Sequence, residues 1–280
     1  MDTASQAALD LCWAINSPSL IEGSNVAPTP RLDINSIDQD HLEAFLASEA
    51  AERGPVHRVG RYFEQLINYW LRHVREVEVV ANGLQLKDDK ITVGEIDFLH
   101  RDESGALVHC EATIKYFLCA PGAEPSEFPG PNARDNYEAK ITKLFNQQLP
   151  ASIGRVPDID ERLALVKGII FYHPSESEAA VPDRLPVDHQ RGGWFRYGES
   201  PVEVDGVEST DVFTIVAKPH WLAPGVGATH EPMSLAALEG HLATHFADAT
   251  HPLMISVRRS SDVAAETKRL FVVSEAWPKN

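Results

Sequence analysis

The sequence predicts a mixed α/β fold, on three observations. Residues 57–74, HRVGRYFEQLINYWLRHV, place Val59, Phe63, Leu66, Ile67, Trp70 and Val74 in one stripe at helical spacing. Residues 91–102, ITVGEIDFLHRD, and 106–118, ALVHCEATIKYFL, read as two strands joined by a turn at Asp102-Glu103-Ser104-Gly105. Residues 162–173, RLALVKGIIFYH, are strongly apolar, as a parallel strand covered on both faces is. A strand at 77–81 and a helix over 133–149 complete the order helix, three strands, helix, strand, an α/β core with a crossover connection.

The flanking elements follow from local signals. AALDLCWAINS is a helix that stops at Ser17-Pro18, and EGSNVAPTP is a loop by its glycine and prolines. NSIDQDHLEAFLAS is a second helix, capped near Asn35 or Ser36. APGAEPSEFPGPN, 120–132, is long enough for a lid or a plain crossover. After the loop HPSESEAAVPDRLP come strands at GGWFRYG, VFTIVAKPHWL, LMISVRR and KRLFVVSEAW, with a helix at SLAALEGHLATHFADA. There is no internal repeat and no clear linker. The expected organisation is an N-terminal helical extension at 1–56, a core at 57–173, and a C-terminal α+β elaboration at 174–280 packed on the same sheet or as a subdomain against it.

Composition narrows the function classes. With 43% hydrophobic and 24% charged residues the chain reads as an ordinary soluble globular protein. No apolar run approaches a membrane span. MDTASQAALD lacks the basic start and apolar core of a signal peptide, so a cytoplasmic protein is expected. Cys12, Cys110 and Cys119 are odd in number and unpaired in spacing, as reduced thiols are. The net charge of −16 argues against broad, nonspecific polyanion binding. It leaves room for a carboxylate metal site served by local basic residues, for which Arg58, Arg61, Arg72, Arg75, Lys140 and Lys143 are candidates. Taken singly, each of these reads equally as a solvated helix charge.

The chemistry concentrates on the two central strands. Alternation puts Glu95 and Asp97 on one face of the first, and His109, Glu111, Thr113 and Lys115 on one face of the second. Pairing brings Asp97 towards Glu111. Strands deplete Asp and Glu, so acids placed this way call for a reason. Two converging carboxylates with a lysine suit a hard cation such as Mg²⁺, and hence metal-assisted attack on a phosphodiester. Glu95 and His109 are further candidates. The bland alternatives are a Glu95 paired with Arg101 or a helix lysine, a Glu64 that is an exposed helix charge, and a packed His109. His241 and His245 have zinc-compatible spacing, but Leu242 stands where a zincin has glutamate. Gly225 and Gly227 are a loop signal. Trp194, Phe195 and Tyr197 could stack bases, though such aromatics usually serve a core.

The helix with Glu64, the GEID strand, the CEATIK strand and the following helix and strand resemble the core of the PD-(D/E)XK nuclease superfamily. Through LDLCWAINSPSL, GRYFEQL, GEIDFLHRD, HCEATIKYFL, KITKLFNQQL, KPHWLAP and RLFVVSEAWP, nearly the whole chain resembles a bacterial family catalogued as domain of unknown function 1853. The resemblance implies a restriction-endonuclease-like core with a mixed central sheet. It also implies Mg²⁺ or Mn²⁺ held by Asp97 and Glu111, with Glu64 completing the site. The superfamily lysine stands two residues after the glutamate, where this chain has Thr113. Lys115, on the same face, or Lys140, from the next helix, is then expected to act, and Lys143 is not. The expected activity is metal-dependent hydrolysis of nucleic acid, DNA or RNA. The runner-up is a nuclease-fold binding or scaffolding protein with a protein partner and no turnover.

Overall fold

The computed structural model describes residues 5–120, 128–176, 182–225 and 231–278. Among them are five α-helices and one mixed sheet of eight strands. The strands are β1 Val79–Asp88, β2 Ile91–Arg101, β3 Leu107–Cys119, β4 Glu161–Tyr172, β5 Arg191–Arg196, β6 Val212–Val216, β7 Leu253–Arg259 and β8 Asp262–Val273, in the order β1-β2-β3-β4-β5-β8-β7-β6. β1, β2 and β3 pair antiparallel, β4, β5 and β8 run parallel, β7 returns antiparallel to β8, and β6 pairs antiparallel with β7. No helix among the described residues is long and apolar enough to cross a membrane.

The chain divides into two compact units. The first takes residues up to Lys115 with 139–168 and 184–186, and the second takes 116–138, 169–183 and residues from 187 on. The division passes through β3 and β4. Of the loops read from the sequence, residues 121–127 and 177–181 and Gly227 lie outside the described residues.

In the first unit, helix α1, Gln6–Asn16, is capped by Ser5 Oγ and meets helix α3, Val59–Tyr69, through a buried polar tie. Tyr62 Oη donates to Asp10 Oδ2 at 3.1 Å, and Gln6 Nε2 donates to Asp10 Oδ1 at 3.0 Å. The α3 stripe is buried as its spacing requires, with Phe63, Leu66 and Ile67 fully covered. A π turn, Trp70–Val74, extends it. Helix α2, Gln39–Arg53, is capped by Asp38 rather than Asn35 or Ser36, which form a short 3₁₀ turn of their own.

β1 is twice as long as read from the sequence and lies later, at Val79–Asp88. Asn82-Gly83 inside it is a turn signal, and Gly83 takes φ +69° there. Its missing side chain leaves room for Glu95 Oε1, which would stand 3.2 Å from a Cβ. The turn at 102–105 forms as expected. Asp102 Oδ1 accepts from Ser104 N at 2.8 Å and Ala106 N at 2.9 Å, an Asx-type closure.

β4 carries a charge in its apolar run. Lys167 is 2% exposed and its Nζ donates to Ile15 O at 3.0 Å and Ser17 O at 2.5 Å, carbonyls left open where α1 ends. Burial lowers its pKa to about 8. Between about pH 8 and 10.4 the unfolded chain then holds a proton that the folded chain lacks, so stability rises with pH through that window. Urea titrations at pH 8 and pH 10 should show wild type gaining on Lys167→Met; a constant difference would sink the assignment.

The second unit packs its own core. Phe195, Phe213, Ile255, Val257, Leu270 and Val272 cluster with Leu238 and Leu242 of helix α5, Leu235–Asp248. Trp194 is buried, its Nε1 donating to Cys119 O at 2.9 Å, and Tyr197 stacks on Phe246. These aromatics are structural. His245 turns to His251, whose carbonyl stands 2.9 Å from His245 Nε2.

Candidate functional site

The site lies within the first unit, where the β2–β3 ladder ends. Phe98↔Cys110 is the last register pair on this side, and Asp97 and Glu111 are the next residues on each strand. Beyond it, Ala112 N donates at 2.9 Å to Asp97 Oδ2. This bond fixes the Asp97 side chain against β3 beside Glu111. Along β3 every residue from Leu107 to Ala112 is buried, while Thr113 and Lys115 are half-buried, so the acidic face opens at that point.

Cover over the closed part comes from the continuation of helix α4, Tyr137–Lys143. A π turn, Leu144–Gln148, and a 3₁₀ turn, Leu149–Ser152, follow it. Gln148 Nε2 donates to Glu111 Oε2 at 2.7 Å. His109 Nε2 lies 2.8 Å from Glu111 Oε1, and His109 Nδ1 lies 3.0 Å from Ser152 Oγ, which also accepts from Arg162 Nε at 3.0 Å. The donor direction follows from the ends. A guanidinium only donates and a carboxylate only accepts, so with a neutral imidazole the chain runs Arg162 to Ser152 to His109 to Glu111. His109 and Ser152 are 0% exposed and Glu111 is 1% exposed, so this is a buried, fully connected polar row.

The electrostatics gather the other acids. The Asp97 carboxyl is pushed up to about 8, first by burial and then by Glu111, against the Ala112 N–H; Glu64 and Glu95 add to the rise. Glu64 is raised as well, by loss of water around its carboxylate and by Glu95, with Arg61 and Lys115 opposing and Glu111 adding. Its side chain as a whole is exposed, so the carboxylate end is what leans into the group. The Cys110 thiol beneath is pushed up to about 12 by burial, Asp97 and Glu111, and is inert packing.

The sequence-derived residues thus sort clearly. Asp97, Glu111, Glu64 and Glu95 act on one another, and Lys115 acts on Glu64. Lys140 is half-buried on α4 and is not among the charges acting most strongly on Asp97 or Glu64; Lys143 is exposed. His109 holds Glu111 in place. The basic residues divide. Arg58 and Arg61 line a pocket with Glu64, whereas Arg72 donates to Asn68 Oδ1 and Arg75 forms a bidentate pair with Glu103. Arg101, read as a partner for Glu95, pairs with Glu78 at 3.7 Å. Gln148, Ser152 and Arg162 carry no sequence signal, since their meeting with Glu111 depends on how the α4 continuation folds back.

A cation test can be made on these donors. Among the described residues no group of three or more His, Cys, Asp or Glu is set to hold a metal ion. Mg²⁺, however, is held by one or two carboxylates with water and substrate phosphates completing its shell. Asp97 and Glu111 supply hard oxygens; burial first, and then the neighbouring Glu111 charge, lifts the Asp97 pKa, and a divalent cation would offset that neighbouring charge. The residues fit such an ion.

A stability prediction follows without any activity. Asp97 folded titrates near 8 and unfolded near 3.9, so the native state binds the extra proton and loses stability as pH rises through that interval. Asp97→Asn keeps an oxygen for Ala112 N–H and discards the charge. In chelator at pH 8 it should be more stable than wild type by about 1 to 3 kcal/mol. Mn²⁺ should then raise the melting temperature of wild type and much less that of Asp97→Asn or Glu111→Gln. Equal Mn²⁺ shifts in all three would place the cation elsewhere.

Comparison with known proteins gives one family. Residues 9–273 match the model described as Domain of unknown function (DUF1853). No curated protein matches, and no solved structure matches.

Proposed function

Since the chain belongs to the DUF1853 family, its site is read on its own chemistry, and we propose that it is a metal-dependent nuclease hydrolysing phosphodiester bonds of DNA or RNA. The observation that carries this is the convergence of Asp97 and Glu111 at the open end of the β2–β3 ladder, with Glu64 and Lys115 drawn to the same place. The order α3, β1, β2, β3, α4, β4 supports a restriction-endonuclease-like core of PD-(D/E)XK type. Three free cysteines, two of them buried, accord with the cytoplasm.

Asp97 and Glu111 would hold Mg²⁺ or Mn²⁺, with Glu64 directly or through water. When bound, the ion supplies a Lewis acid that makes water a nucleophile near neutral pH and offsets charge on the phosphate. The protein does the rest. Ala112 N–H and the row from Arg162 to Glu111 keep both carboxylates oriented. Lys115, beside Glu64, orients the attacking water or neutralises charge growing on the phosphate oxygens.

A second reading has its own support. Thr113 stands where the superfamily lysine would, and the net charge is −16, as in a nuclease-fold protein that binds a partner and cleaves nothing. A cleavage screen with Mg²⁺ and Mn²⁺ on labelled single-stranded DNA, duplex DNA and RNA decides between the two. Cleavage by wild type that Asp97→Ala lowers by about 10²-fold or more is expected. No cleavage of any substrate would leave the binding reading, and equal cleavage by Asp97→Ala would refute the site.

A further inference from the structure

Both oxygens of the Glu111 carboxylate are occupied, and its side chain is 2% exposed. His109 Nε2 stands 2.8 Å from Oε1, and Gln148 Nε2 donates to Oε2 at 2.7 Å. Each oxygen keeps a second lone pair, but so little of the side chain is accessible that a cation carrying water cannot reach it. Asp97, beside it on β2, is half-buried and lies more open. Cation binding by the pair therefore requires one of the two donors on Glu111 to leave.

The surroundings of the two donors decide which one leaves. A carboxylate taken out of water needs donors until a cation stands beside it. His109 is 0% exposed and is tied at its other nitrogen to Ser152, itself 0% exposed and bonded to Arg162. Moving His109 breaks that whole row. Gln148 is half-buried, and the two residues before it, Asn146 and Gln147, are exposed. It ends the π turn Leu144–Gln148, in which the Leu149 N–H reaches back to Leu144 O. Single π turns of this kind are rare and recur at functional sites. Leu144 and Leu149, 3% and 4% exposed, anchor the turn in the core on either side. Gln148 can therefore swing while α4 and Ser152 stay in place.

We propose that Gln148 is a gate on the metal site: its amide stands in for the cation at Glu111 Oε2 and swings out when Mg²⁺ or Mn²⁺ binds. This rests on the proposed function, whose carboxylate site it takes as given, and adds how that site opens. A carboxamide suits the task because it is neutral. It satisfies an oxygen of Glu111 without cancelling the charge that attracts the ion. A closed majority state lowers the apparent affinity by the open fraction, about tenfold if one molecule in ten is open. A Gln148 that only oriented Glu111 would act the other way, since losing an outer partner of a metal ligand weakens binding.

The test is Mn²⁺ binding by the full chain, read from the spin resonance of free Mn²⁺ with no substrate present. Gln148→Ala is expected to bind Mn²⁺ about tenfold more tightly than wild type. Asn146→Ala, exposed on the same turn, should bind as wild type does. Gln148→Asn, which draws the amide back by one carbon, replaces Gln148→Ala if that variant does not fold. A crystal structure of wild type grown with Mn²⁺ should show the ion on Glu111 and the Gln148 amide turned away from it. Mn²⁺ on Glu111 with Gln148 still bonded to Oε2 overturns the gate. So does binding by the Gln148 variant that is equal to wild type or weaker. If Glu111→Gln abolishes that binding, the carboxylate site stands and the gate alone is lost. Mn²⁺ binding that Glu111→Gln leaves intact, or no binding by wild type or Gln148→Ala, overturns the carboxylate site and the gate with it.

Discussion

Replacing Gly168 by alanine is expected to unfold the first unit or bring it close to unfolding. Gly168 sits in β4 at φ +150°, a conformation that side-chain-bearing residues rarely take. A Cβ there would lie deep inside contact distance of Lys115 O, a main-chain atom held in β3, and 2.7 Å from Leu20 Cδ1. The leucine tip can turn aside, but the carbonyl cannot move without breaking the sheet. Strain and overpacking together should cost about 4 kcal/mol or more, the range of exceptional single substitutions. In a chain of this size that lowers the melting temperature by about 10 °C or prevents soluble expression. Gly240→Ala is the matched control. It lies within α5, where an added Cβ meets nothing within 4 Å. It should stabilise by about 0.5 to 1 kcal/mol through helix propensity. A Gly168→Ala protein as stable as wild type would mean that β4 does not pass this close to Lys115.

The same contact shows which parts of the molecule were legible in the sequence. Acids on alternating strands announce themselves, because a half-buried sheet has little other use for them, and Asp97 and Glu111 could be found that way. The α3 stripe was legible for the same reason, as a period that only a helix satisfies. Gly168 looked like one small residue in an apolar run, and its role depends on a strand neighbour some fifty positions earlier. Lys167 was hidden likewise, since its partners are carbonyls at the end of α1. Asn82-Gly83, a pair that usually ends strands, sits inside β1, where Gly83 leaves room for Glu95. The row from Arg162 to Glu111 joins residues from β4, the turn after α4, and β3. No spacing rule connects them. Periodicity reports which face a residue occupies, and the site is built from contacts between faces of separate elements.

If the protein cleaves nucleic acid, Glu111→Gln is expected to lose about 10³-fold or more in turnover with the fold intact. Glutamine fills the same space and offers one oxygen to His109 Nε2, so the buried row closes; the Gln148 amide turns over to meet the new amide nitrogen. What is removed is the negative charge. Ser152→Ala cuts the row one step back, leaving Arg162 and His109 without their shared hydroxyl while Glu111 keeps its charge. It should cost about 10- to 100-fold, the usual price of losing an outer partner of a metal-binding group. Lys115→Met should cost about 10²-fold, and Lys140→Met less, because Lys115 is the lysine that acts on Glu64. The order Glu111, then Lys115 and Ser152, then Lys140 is the signature of this site. Single-turnover rates at saturating Mg²⁺ measure it apart from metal affinity. Should Lys140→Met prove the more damaging lysine variant, the charge on the phosphate is met from α4 and not from β3. Should both lysine variants keep full activity, the metal-holding carboxylates act without a lysine.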